Sequence, residues 1–320
     1  MAISDIDRIL DVPTSLKETE QDLKIIRPAL NSLIDFSIKT AKFCFVDAKN
    51  FNLPLIIILL HSIELVDAID ILVKQSSIYP CYLLVRSLFE TKIYIEYMLQ
   101  IKTKERSLAY EYFAWQDNIK RWEPYVKPTP ELLMKMSQDK SLKGEKFPPE
   151  NVNHIQGQIK WYQTNMEDQR MAIVVEEIAK IEDQFPKQKN NLKWYSLFPL
   201  DQTVPICDFK TLCEKLGYPG YYLLSYKYLS QYAHSQEVTR FIRGIVDKSN
   251  LPLLRRNDEI WHVAILTSQF QTKIVDLFCE FEKQTEQYSE WYKDFEPKLN
   301  AMKNAFMEQF TPLASNGNPS

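Results

Sequence analysis

The chain has 320 residues, 45% of them hydrophobic and 25% charged, with a formal net charge of −3; these values sit at globular averages and exclude a wholly disordered or fibrous chain. Six glycines in 320, the first at Gly144, fall far below the usual share of about 7%. That scarcity argues against a sheet protein, which needs glycine at tight turns and bulges, and no glycine-rich phosphate loop of either common type is present.

Residues 14 to 49 read as a helix capped by Thr14 or Ser15, with Pro28 as a kink or break. A second helix spans about 55 to 75 after the start signal Asn52 and Pro54. Its run LPLIIILL, 53 to 60, is eight residues long, against the roughly twenty a membrane span needs, so it reads as core and no membrane association is expected. Serines and Pro80 break the pattern before a third helix, 81 to 101, and a fourth follows, 103 to 126. Residues 127 to 153 gather five prolines and glycines among lysines, a surface insertion with one short helix at 131 to 138. Helices are then expected at 155 to 185, 208 to 216, 221 to 245, 258 to 288 and 292 to 310. The sum is an all-α bundle of eight to ten helices: a lead at 1–13, one helical domain at 14–311 and a disordered tail at 312–320. Five cysteines without zinc-ligand spacing, and an N-terminus without a signal core, point to reduced thiols, a cytoplasmic location and no metal or cofactor.

Polar side chains on apolar faces give the first candidate site. At about 100° per residue, Lys92, Glu96 and Gln100 gather on one side of the third helix and mark it as wet, while Arg86 and Glu90 fall among apolar residues. They are four apart and can pair. In the second helix Asp67, Asp70 and Lys74 mark the wet side and His61, with Glu64 to orient it, lies opposite. The 221 to 245 helix carries Tyr222, Tyr226, Ser230 and His234, each four from the next, a polar ribbon that can complete a buried Arg86–Glu90 pair or line a pocket. The second, third and 221 to 245 helices are therefore expected to pack together. The constellation has two readings: a structural network, or a site for a small ligand in a non-enzymatic binding or regulatory protein.

LLVRSLFETKIYIEYML at 83–99, with KWYSL, LCEKLG and YKYLSQYAHS downstream to residue 235, resembles a bacterial family of unknown function. That family pairs an Arg-x-x-x-Glu helix with a Tyr-x-x-x-Ser-x-x-x-His helix, and carries arginine where this chain has His61. The resemblance covers about residues 20 to 245 and implies a helical fold and a shared polar constellation, not an activity.

A second candidate site is Arg256-Asn257-Asp258-Glu259-Ile260-Trp261-His262. An arginine and a histidine with five residues between them, and asparagine after the arginine, are similar to the motif of the HEPN ribonucleases, helical toxins and phage-defence effectors that cut RNA without metal. Histidine can move a proton at the 2′-hydroxyl or leaving oxygen, and arginine can clamp the phosphate. This resemblance implies RNA as substrate, Arg256, Asn257 and His262 as catalytic residues, a symmetric homodimer, and an antitoxin or defence partner.

Overall fold

A computed structural model describes residues 12–46, 53–142, 152–200, 204–233 and 259–308. Among these the chain is all-α, with short 3-10 turns and no strand. Residues 1–11 of the lead, the tail, His234, Arg256 and Asn257 lie outside the described residues. By contacts the chain divides into two compact units, Met1–Leu99 with Cys213–Ser320, and Gln100–Leu212.

The first unit is built on α1 (Val12–Val46), α2 (Leu53–Lys74), α3 (Ile78–Gln100), α10 (Ile260–Phe281) and α11 (Thr285–Glu308). Helix α1 starts before Thr14 and runs unbroken through Pro28. Phe36 of α1 stacks on Trp291 of α11 at 4.4 Å, and the Trp291 indole donates to the Ser32 hydroxyl at 3.2 Å. Gln271 of α10 donates to the Ser37 hydroxyl in the buried interior. After α2 the chain turns at Ser76, which has a positive φ and whose hydroxyl meets that of Thr19 at 3.0 Å. Helix α3 is buried nearly all round, as expected of a central helix.

The second unit holds α4 (Thr103–Val126), α5 (Pro130–Gln138), α6 (Val152–Met166) and α7 (Ala172–Gln184). Where one helix is expected over 155 to 185, two form, separated at Asp168, whose carboxylate accepts from the Arg170 amide and starts a 3-10 turn. A fully buried Arg106 of α4 donates from both Nε and a terminal nitrogen to the Phe198 carbonyl, at 3.0 and 2.8 Å. That pair of bonds anchors the irregular 194–200 segment, where Phe198 has a positive φ.

Two features differ from the sequence expectation for physical reasons. The 258 to 288 helix divides at Glu282 to Gln284, where Lys283 adopts positive φ; neither proline nor glycine marks the break. The apolar run at 53 to 60 is not all core: Leu55, Ile56, Ile58 and Leu59 are buried, whereas Leu53, Ile57 and Leu60 are exposed. No described helix is long and apolar enough to cross a membrane.

Candidate functional site

Helix α3 places Tyr82, Arg86 and Glu90 at successive i, i+4 positions. These drift about 40° per step and so share one side. Two other elements meet that side. Residues 209–233 form α8 (Phe209–Lys215) and α9, which starts at Pro219–Tyr221, passes through a π-helical turn at Tyr222–Tyr226 and continues as Lys227–Ala233. From α9, Tyr226 meets Arg86; from the first turn of α10, His262 meets Tyr82.

Arg86 donates through a terminal nitrogen to the Tyr226 hydroxyl at 2.8 Å and through Nε to Glu90 Oε1 at 3.3 Å, with its guanidinium 4.6 Å from the Tyr226 ring centroid. Desolvation works against the Arg86 charge, but Tyr226 and then Glu90 outweigh it and hold its pKa above the ordinary value. Burial, with the Glu90 charge adding, pushes the Tyr226 phenol up to about 12 against the opposing Arg86 bond. The side chains of Arg86 and Glu90 keep 24% and 29% of their surface exposed, so the pair is half-buried rather than sealed in the bundle. Single π turns recur at functional positions in helices, and this one carries the tyrosine that holds Arg86. It also alters the ribbon: Tyr222 stacks on Tyr226 at 5.3 Å, while the Ser230 hydroxyl donates back to the Tyr226 carbonyl.

His262 is half-buried near the N-terminus of the 22-residue α10. Its Nδ1 lies 3.5 Å from the Tyr82 hydroxyl, at the outer limit of a hydrogen bond, and the two rings are 6.0 Å apart. Burial pulls its pKa below the ordinary 6.5, against the opposite pull of Glu259, which favours the uncharged ring that a proton acceptor needs. Further along, Phe89 packs on Phe270 of α10 and on Tyr221 and Tyr226 of α9. Helix α10 therefore runs parallel to α3 and α9 antiparallel to it. Tyr82 and Arg86 are one turn apart, a side-chain spacing of about 6 Å, and the histidine of one candidate motif and the arginine of the other reach neighbouring turns of one helix face.

Three expectations are corrected. Lys92 and Glu96 are not a wet face. Both are buried, Lys92 Nζ sits 2.7 Å from Glu96 Oε2 and 3.0 Å from the Tyr218 ring centroid, and the Tyr218 hydroxyl donates to Glu96 Oε1 at 3.1 Å. Burial pushes the Lys92 ammonium down to about 8 in spite of Glu96. In α2, Asp70 is likewise buried against Lys74. His61 lies on the exposed side of α2, 3.7 Å from a still more exposed Glu64, and is not brought to Arg86. The two buried pairs share a cause: lysine and a carboxylate four residues apart neutralise one another and so can turn inward together.

Tyr82, Phe89 and Tyr218 had no part in the sequence-level constellation. Only Tyr82 carried a signal, four residues before Arg86. Among the described residues no group of three or more His, Cys, Asp or Glu side chains could hold a metal ion, and the five cysteines are free thiols, four of them buried.

The model of a protein family, described as a family of unknown function (DUF5677), matches residues 52–244. No curated protein and no solved structure gives a significant match.

Proposed function

Since the chain belongs to the DUF5677 family, whose function is unknown, we propose an activity from the chemistry of its own site: metal-independent cleavage of RNA, as in a toxin or phage-defence effector of the cytoplasm. His262 takes the proton from a 2′-hydroxyl. The 2′ oxygen then bonds to phosphorus as the bond to the 5′ oxygen breaks, and that oxygen takes a proton from water. The products are a 2′,3′-cyclic phosphate and a 5′-hydroxyl. Arg86, with Arg256, would hold the phosphate and offset the charge that develops on it, and Asn257 would orient either the phosphate or Arg256.

One observation carries the reading: a half-buried imidazole at a helix N-terminus meets α3 one turn from a partly exposed guanidinium that Glu90 and Tyr226 hold in place. The helix start adds a favourable potential for phosphate, and the pinned arginine needs little reordering to receive one.

Purified protein incubated with single-stranded RNA and a chelator tests it. Wild type should cut, and His262→Ala should cut about 10² to 10⁴ times more slowly with an unchanged circular dichroism spectrum. Intact RNA with wild type, or equal cutting by the variant, would overturn the reading.

A further inference from the structure

Leu53, Ile57, Leu60, Glu64, Asp67 and Ile71 recur along α2 at spacings of four, three, four, three and four, and all six are exposed, the four aliphatic side chains between 45 and 55%. The opposite side of α2, from Leu55 and Leu59 to Val66, Ile69 and Val73, is buried, and the helix packs against α1 and α10. Positions 53, 60 and 67, and likewise 57, 64 and 71, recur every seven residues, the heptad of a coiled-coil seam, in which such side chains insert between those of a facing helix. Leu53, Ile57 and Leu60 form an aliphatic stripe that Glu64 and Asp67 interrupt before Ile71, along a helix of 22 residues, about 33 Å long.

The spacing reads the same from either end about position 62. A second α2 laid antiparallel would therefore set 53 against 71, 57 against 67 and 60 against 64, the pairing that antiparallel seams require. Charge selects this orientation. A parallel copy would stack Glu64 on Glu64 and Asp67 on Asp67. The antiparallel copy instead sets each Glu64 level with Leu60 of the second copy and beside its His61, which flanks the seam and already lies 3.7 Å from its own Glu64.

We propose that the exposed face of α2 is the interface of a two-fold symmetric homodimer, with the two α2 helices antiparallel about residue 62. Two of its six seam positions are acidic and its length is a single helix, so the dimer is reversible and concentration-dependent rather than obligate. The proposal stands on the α2 face alone and does not depend on RNA cleavage.

Sedimentation velocity on the full chain tests it over about 1 to 100 μM, the range of a modest interface. Wild type should pass from monomer to dimer. Ile57→Asp should raise the dissociation constant at least about tenfold, with helicity retained, because it faces Asp67 of the second copy. Adding Asp67→Lys to Ile57→Asp should restore dimerisation, since 57 and 67 oppose one another only in the antiparallel register. A wild type that stays monomeric at the top of the range, an Ile57→Asp variant that dimerises as wild type does, or a double variant that fails to recover would each overturn the proposal.

Discussion

Replacing Glu96 by glutamine should destabilise the protein by an amount that depends on pH. Lys92 and Glu96 are buried together, and Tyr218 supplies both a ring beneath the ammonium and a hydroxyl to the carboxylate. At pH 7 a lysine that starts from 10.5 can shed its charge at a cost of about 5 kcal/mol. Lys92, already drawn down to about 8, has incurred about 3 kcal/mol of that. Loss of Glu96 can therefore add only about 1 to 2 kcal/mol through the lysine before it deprotonates, and the Tyr218 hydroxyl losing a charged acceptor adds about 1 to 2 kcal/mol. The expected loss is about 2 to 4 kcal/mol at pH 7, less than the 3 to 5 kcal/mol typical of a stranded buried charge. At pH 9 Lys92 is mostly neutral in the wild type as well, so only the Tyr218 share, about 1 to 2 kcal/mol, should remain. Urea unfolding of both proteins at the two pH values measures this. An equal or larger loss at pH 9 would refute the argument.

The same lysine should make wild-type stability rise between pH 8 and about 10. The unfolded chain, with Lys92 near 10.5, binds more protons there than the folded one. Above pH 10 burial and Glu96, which hold the Tyr218 phenol above its ordinary value, reverse the trend; Lys92→Met should flatten the rise, read from melting temperatures across this range. Glu90→Gln should destabilise by no more than about 1 kcal/mol, because both partners of the Arg86–Glu90 pair stay partly exposed; denaturant unfolding that shows 3 kcal/mol or more would mean a sealed pair. Arg106→Lys should destabilise by about 2 to 3 kcal/mol, since an ammonium cannot reproduce the two guanidinium bonds to the Phe198 carbonyl. In calorimetry an unchanged transition would count against that anchor.

Helix identity was legible wherever local chemistry decided it. The helix expected at 103 to 126 forms as Thr103–Val126, and the short one expected at 131 to 138 forms one residue earlier, as Pro130–Gln138, because proline is tolerated at a helix start. The breaks at Asp168 and Lys283 were not legible, because a side-chain cap and a left-handed lysine end those helices without proline or glycine. Arg86, Glu90 and Tyr226 could be grouped from spacing alone, since i, i+4 neighbours touch and buried polar groups need partners. Reading charge as a marker of water failed for Asp70 with Lys74 and for Lys92 with Glu96, where self-pairing allowed burial. Its mirror image is the exposed aliphatic stripe on α2 that the run at 53 to 60 concealed. The approach of His262 to Tyr82, 180 residues apart, has no local signal at all; it follows from α10 lying parallel to α3.

The central claim, that His262 and Arg86 act on one phosphodiester, is tested most directly by a double-mutant cycle on single-turnover RNA cleavage in chelator. His262→Ala and Arg86→Gln should each slow cleavage by at least about 10², and the double variant should be little slower than His262→Ala alone, as for groups that act as a unit. Independent, additive losses, or a wild type that leaves the RNA intact, would contradict it.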